Sequence, residues 1–253
     1  MGDIFRLDGE KALILGAGGI GGAIALEAAK RGAEVALADI SEKNLERVKE
    51  EIEKAGGKAQ IFKTNIRGRD DVVALYEAVQ SRFPDITLSV NSIGLNEQAP
   101  AIDTTEAQWD TVINGFLSNL FWSNQQAAKI MIKNGRGKIL NLASMSGVVV
   151  TGDEGSAYAA VKAAVIHLTK ALATEWIKKG VYVNALSPAT VKTPLTEGFL
   201  SIPGVGESIA KDVPLGRVAV PEDMVGPAIF LLSKASDYVV GGNLIVDGGY
   251  TLR

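Results

Sequence analysis

The sequence has no cysteine, so disulfides, thiolate metal sites and a cysteine nucleophile are all excluded. It has one histidine, His167, so no multi-histidine metal centre can form, and packing or partial exposure is the role expected for that ring. No metal is expected. No apolar run approaches the roughly 18 residues of a membrane-spanning helix. No lysine- and arginine-rich run marks a nucleic-acid or anionic-membrane surface, and the net charge of −3 agrees. The opening MGDIFRLDGEKALILGAGG carries charges before and inside its apolar stretch and does not read as a signal peptide. A cytoplasmic protein acting on a small molecule, with neither nucleic acid nor membrane as partner, is the expectation.

What is present is a repeated alternation of short apolar runs and helical patterns. With 47% hydrophobic and 22% charged residues, the 253-residue chain can bury a sizeable core. Strands are predicted at 11–15, 34–40, 60–64, 87–90, 138–142, 181–186 and 243–246. Helices are predicted after the glycine-rich loop, after Ser41, and over 70–83, 109–133, 158–179 and 221–234. Strands alternating with helices point to one doubly wound α/β domain with a parallel sheet. Residues 190–220, with Pro194, Pro203 and Pro214, are long for an irregular connection, and a mobile lid over the substrate is the expectation there.

The first strand runs into GAGGIGG. Gly16, Gly18 and Gly21 give G-x-G-x-x-G between a strand and a helix, and Asp39 ends the second strand. Glycines at that spacing permit a tight turn and close approach of backbone to a pyrophosphate, whose charge meets the helix N-terminus. An acidic residue at the second strand tip accepts hydrogen bonds from ribose hydroxyls. Dinucleotide binding follows, with NAD preferred. A 2′-phosphate would face the Asp39 carboxylate, and Ala17, Ile40 and Ser41 supply no compensating cation. The alternatives are that Lys43 reaches back, or that Asp39 turns away to cap the next helix.

The second pattern is SMSGVVVTGDEGSAYAAVK. Tyr158 and Lys162 are four apart on a helical pattern and so share a face. A lysine ammonium beside a phenol lowers its pKa from about 10, and a fall of roughly three units corresponds to about 4 kcal/mol. That would let Tyr158 exchange a proton with an alcohol or ketone near neutral pH. Ser144, at the end of KILNLAS, can hydrogen-bond the same substrate oxygen; Ser146 and Ser156 are nearby hydroxyls. Chance Tyr-x-x-x-Lys pairs are common, so the pattern needs its context.

That context resembles the classical short-chain dehydrogenase/reductase family over essentially the whole chain. GAGGIGG, Asp39, NSIG at 91–94, Asn114, Ser144, Tyr158-x-x-x-Lys162, SPATVKT and GGNLIVDGGY occur in the family's order. The resemblance implies a seven-stranded Rossmann-type sheet, order 3-2-1-4-5-6-7, and hydride transfer with a nicotinamide cofactor. It implies Tyr158 as general acid/base and Ser144 as holder of the substrate oxygen. Lys162 would tune Tyr158 and bind the nicotinamide ribose. Asn114 would position a proton-relay water, the alternative being a helix-kink or packing amide. It also implies cofactor contacts from Gly16, Gly18, Gly19, Ile20, Gly21, Asp39, Asn65, Ile66, Asn91, Gly94, Pro188, Val191 and Thr193, and a homotetramer.

The sequence departs from the family pattern at Leu15, where a threonine is usual, and in a glycine loop one residue shorter. It also departs at Asn65 in place of an aspartate, at Ile93 and at Ala189. Segments such as NLASMSG and DGGYTLR resemble sugar-alcohol dehydrogenases of the galactitol and arabinitol type and gluconate-type dehydrogenases. Asp153 and Glu154 could bind substrate hydroxyls or form a solvated loop tip, and Lys192 or Lys211 could face a sugar acid's carboxylate. A 3-oxoacyl-thioester reductase and a non-catalytic dinucleotide sensor are the competing readings.

Overall fold

Seven runs rich in Ala, Leu, Ile and Val form one sheet in the structure, a computed structural model that describes residues 2–94, 99–151 and 155–252. They are β1 (Lys11–Leu15), β2 (Glu34–Asp39), β3 (Ala59–Lys63), β4 (Leu88–Asn91), β5 (Gly137–Leu142), β6 (Val181–Pro188) and β7 (Asn243–Val246). All pairings are parallel, in the order β3-β2-β1-β4-β5-β6-β7. Burial of both faces explains why the central strands read as continuous apolar runs rather than alternating ones.

One face packs on α1 (Gly19–Lys30), α2 (Glu42–Lys54) and α9 (Pro221–Leu232), with Ile14, Ile24, Leu37, Val48 and Met224 in its core. The other packs on α3 (Arg69–Arg82), α5 (Asn119–Lys133) and α6 (Ser156–Trp176), around Leu13, Val79, Met131, Ile139 and Trp176. Strand order reverses between β1 and β4, which opens a crevice at their carboxyl ends where α/β sheets bind ligands.

Two expectations need correction, and a third falls outside the described residues. Residues 190–220 are not irregular throughout: they carry the short helices α7 (Glu197–Leu200) and α8 (Val205–Asp212), and Val191 pairs with Ala219 in an isolated parallel bridge. The helix expected over 109–133 is two helices, α4 (Glu106–Ile113) and α5, joined by a π-turn at Asn114–Ser118. The Asn119 N–H donates to the Asn114 carbonyl, five residues back, so one extra residue is wound into the turn. Finally, Asp153 and Glu154 lie outside the described residues.

A buried polar string crosses the second face. Ser123 Oγ donates to Asn91 Oδ1 (2.7 Å) and bonds the Tyr76 hydroxyl (2.9 Å). Asn91 Nδ2 donates to Asn141 Oδ1 (2.9 Å), and Asn141 Nδ2 donates to Thr169 Oγ1 (3.1 Å). Each bond satisfies a group that would otherwise cost about 1–3 kcal/mol to bury. The string ties β4 to β5 and to helices α3, α5 and α6, directly beneath the crevice.

Candidate active site

The glycine loop is built by close backbone contact. Gly16 has φ +90°, and a Cβ on it would lie 2.4 Å from the Ser92 carbonyl oxygen. A Cβ on Gly21 would lie 1.9 Å from the Gly16 carbonyl oxygen. Only glycine fits either place. Gly18 caps α1 without a side-chain hydrogen bond, and no acidic residue occupies the first turn, so the helix N-terminus is unopposed toward an anion. Asp39 fixes the loop from the side: Oδ2 accepts from the Ala17 N–H (2.6 Å) and Oδ1 from the Ser41 N–H (2.7 Å). An ionised carboxylate has about four acceptor sites, so it keeps acceptor capacity for hydroxyl groups.

Around this loop the other expected cofactor residues are placed unevenly. Thr193 lies over Gly19, its Cγ2 2.7 Å from where a Cβ there would be, and Leu195 lies similarly close to Gly94. Ile20 is half-buried against the first core; Pro188 and Val191 are buried at the β6 edge. Asn91 is buried, and its amide is engaged at both ends in the buried string. In the Asn65 amide orientation that satisfies both of its ends, Oδ1 accepts from Arg67 Nε and Nη2, both at 3.1 Å. Ile66 packs against the second core, and its carbonyl lies 3.5 Å from Asn119 Nδ2.

Across the crevice, the end of β5 and the first turns of α6 bring Ser144, Tyr158 and Lys162 together. Ser144 is buried, accepts from the Ser146 N–H (3.1 Å) and lies against the Tyr158 phenol. Ser146 is committed elsewhere, to the Thr151 hydroxyl at 2.8 Å. Tyr158 also lines a small cavity with Ala99, Thr104, Val112, Gly155 and Ala157. Lys162 is 5% exposed; its Nζ donates to the Leu142 carbonyl (2.9 Å) and sits 5.5 Å from the Tyr158 ring centroid.

The pKa directions differ from those the spacing suggested. Burial pushes the Tyr158 phenol up, and the Ser144 hydroxyl opposes it. Burial pulls Lys162 down to about 7. The reason is geometric: the ammonium faces a carbonyl and aromatic rings, with no carboxylate against it among the described residues.

Asn114 is not part of this cluster. It is exposed and makes no side-chain hydrogen bond among the described residues. The side chain its helix sends to the cluster is Phe116, whose ring meets Tyr158 edge-on (centroids 5.3 Å apart) and lies 4.6 Å from Lys162 Nζ. Phe116 packs with Val112, Leu120, Ala157 and Val161 in a third small core. Val112, Phe116 and Leu120 are four apart, and that apolar spacing was the available signal for which face turns inward.

The family model described as Enoyl-(Acyl carrier protein) reductase matches residues 16–251. The chain belongs to the short-chain dehydrogenase/reductase family. It is 36% identical over 250 residues to a D-threitol dehydrogenase of Mycolicibacterium smegmatis, spanning 98% of this chain and 95% of that protein. It is equally identical, over 251 residues and 98% of each protein, to a galactitol 2-dehydrogenase (L-tagatose-forming) of Cereibacter sphaeroides. The crystal structure of a gluconate 5-dehydrogenase from Burkholderia cenocepacia, in complex with NADP and tartrate, superposes with a TM-score of 0.91 at 32% identity, covering 99% of this chain and 98% of that one. Family membership assigns oxidoreductase chemistry on alcohol groups with a nicotinamide cofactor, and the unopposed helix end and glycine cradle fit the pyrophosphate of such a group. No helix among the described residues is long and apolar enough to cross a membrane, and no acidic or histidine cluster suited to a metal occurs among them.

Proposed function

We propose that the protein is an NAD-preferring oxidoreductase acting on a secondary alcohol or ketone of a polyol, sugar or sugar acid. The observation that carries this is the convergence of Ser144, Tyr158 and Lys162 across the crevice from the glycine loop. The bound dinucleotide supplies the hydride acceptor or donor. Ser144 orients the substrate oxygen. Tyr158 takes the hydroxyl proton during oxidation and returns it during reduction. Lys162 binds ribose hydroxyls and, when protonated, favours the phenolate. Asp39 accepts from the adenosine ribose hydroxyls while holding the loop through Ala17 and Ser41.

The segment around α7 and α8 works as the substrate lid. Its exposed Leu195, Phe199 and Ile202 supply apolar cover, and the exposed Lys192 and Lys211 are its cations for a sugar-acid carboxylate. The protein works as a cytoplasmic homotetramer; the exposed Tyr238, Val240, Ile245 and Leu252 give its C-terminal region an apolar surface suited to assembly.

The test is kcat/KM with NAD and NADP against polyols, aldonates, uronates and acetoacetyl thioesters. The polyhydroxylated class should be preferred; a thioester turned over faster than every member of it would reject the substrate reading in favour of acyl reduction. NAD should be preferred by about a hundredfold, a difference of about 3 kcal/mol from like-charge placement, and Asp39→Ala should shrink that ratio. Equal use of both cofactors by the native protein would reject the preference.

A further inference from the structure

Lys162 is a buried charge with few polar partners. One of its ammonium donors goes to the Leu142 carbonyl at the end of β5 (2.9 Å). Beside it lies a second cavity of ≈ 280 Å³, counted with its open mouth, whose walls include Asn91, Phe116, Asn119, Leu142 and Lys162. Asn91 of β4 spends its amide in the buried string. Asn119 of α5, whose Oδ1 has no hydrogen-bond partner among the described residues, makes no bond to the ammonium. Gly147 packs on the Lys162 backbone, where a Cβ would lie 2.6 Å from the carbonyl carbon. Tyr158 is the titratable group against Lys162, and no charged side chain faces it among the described residues. What does meet the ammonium is aromatic. Nζ lies over the Phe116 ring, 4.6 Å from its centroid, and 5.5 Å from that of Tyr158. Both are within the roughly 6 Å over which a ring face attracts a cation, and the attraction is strongest where water is excluded. Phe116 is itself only 5% exposed.

We propose that Phe116 is a positioning residue of the acid/base pair: its ring face supports the buried Lys162 ammonium where a carboxylate is lacking, and its edge-on contact holds the Tyr158 ring against that charge. A carboxylate would hold the ammonium more strongly, but its negative charge would cancel the effect of the ammonium on the phenol. A ring quadrupole favours the cation and leaves its charge whole. That matters because burial pulls Lys162 down to about 7, so any group that favours the charged form sets how much ammonium remains at neutral pH. An aliphatic side chain of similar bulk would fill the space without this effect. The ring is fixed by its surroundings. Phe116 is the middle residue of the π-turn at Asn114–Ser118, and it packs among Val112, Leu120, Ala157 and Val161. One face of the acid/base pair is thereby built from a side chain that carries no proton of its own to exchange.

The effect on turnover rests on the oxidoreductase reading; the contact itself does not, and the two are measured separately. Lysine NMR of the cofactor-free protein gives the titration midpoint of Lys162, its signal identified by its loss in Lys162→Met. Tyr158→Phe serves as the background, so that no phenol titrates beside it. In that background Phe116→Leu should lower the midpoint by roughly 0.4–1.5 pH units. Phenylalanines carrying one, two, three and five fluorines at position 116 weaken the ring face at nearly constant size, and should lower the midpoint stepwise. In turnover, with Tyr158 present, protonated Lys162 favours the phenolate and is lost as pH rises. The alkaline limb of kcat should therefore move to lower pH in Phe116→Leu, and in the same order along the fluorinated series. A midpoint unchanged or raised in Phe116→Leu, or indifferent to fluorine number, would overturn the proposal and leave Phe116 as packing alone. Shifted midpoints with a fixed kcat limb would overturn its role in the acid/base pair. If Phe116→Leu does not fold, the fluorinated series decides. Shifted midpoints in a protein whose native form turns over no substrate would reject the oxidoreductase reading and leave the contact standing.

Discussion

The two walls of the crevice are made in different ways. On the β1–β2 side the work is done by backbone: glycines that admit no Cβ, an uncapped helix end, and one carboxylate bonded to two main-chain N–H groups. On the α4–α6 side it is done by side chains from separate segments, Ser144, Tyr158, Lys162 and Phe116, meeting in a half-dry pocket. The first wall tolerates little change in local sequence, because its requirements are steric and lie within a few residues. The second depends on which face of a helix turns inward, and a single extra residue in a π-turn changes the answer.

The largest effect that would sharpen the contrast is at Tyr158. Tyr158→Phe keeps the ring against Phe116 and removes only the ionisable hydroxyl. Turnover should fall by at least about a hundredfold, while nucleotide binding, measured by quenching of reduced nicotinamide fluorescence, should persist. Near-native kcat would remove Tyr158 from the mechanism.

Lys162 gives the next effect, read as stability against pH. Its pKa falls from 10.5 in the unfolded chain to about 7 in the fold, because burial penalises the charge. Between those values the unfolded chain binds the proton and the folded one does not, so native stability rises with pH across that window, by at most about 1.4 kcal/mol per unit. The burial penalty is fully present below about pH 7 and gone above about 10.5. Lys162→Met lacks this slope. Its stability relative to the native protein, from urea unfolding, should be greatest below neutrality and should decline as pH rises; a flat difference would show that Lys162 is not held in a desolvated site.

Gly21→Ala probes the backbone wall. The added methyl would sit 1.9 Å from the Gly16 carbonyl oxygen, so the loop or helix must shift. Overpacking of this kind costs about 1–3 kcal/mol; Tm should drop and the nucleotide Kd should rise while the Tyr158 side of the pocket stays intact. Unchanged binding would show that the loop is less constrained than its contacts indicate.

The smallest effect is at Asn114. Exposed and without a side-chain partner among the described residues, it should accept alanine with stability changed by no more than about 0.5 kcal/mol and kcat near native. Loss of turnover in Asn114→Ala would restore it to the proton route and break the distinction drawn between the walls.

Most of the scaffold was legible because its signals are local. Alternating apolar runs gave the strands, with β1 and β7 bounded as observed, and the Ser41 cap of α2 is present, accepting from the Asn44 N–H at 3.3 Å. The ends of α6 and β6 were less legible, since helices fray into 3₁₀ turns and strands stop where pairing stops, here at Pro188 opposite Val246. The short helices α7 and α8 were hidden among prolines and glycines that usually mark loops. That the Asn91 amide bonds Ser123 and Asn141 was not legible, because those residues come from α5 and β5, far along the chain.

By itself the sequence determined the sheet, the glycine loop with Asp39, and the Tyr158–Lys162 spacing, since each follows from steric or periodic rules acting over a few residues. Only the tertiary structure decided that Phe116 rather than Asn114 meets Lys162, that burial moves the phenol and the ammonium in opposite directions, and that Asn119 has an unpaired oxygen on the same cavity. Those facts depend on packing between α4, α5, β5 and α6, segments far apart in the chain. The i, i+4 spacing of Val112, Phe116 and Leu120 marks an inward face, but not which distant side chain that face will meet.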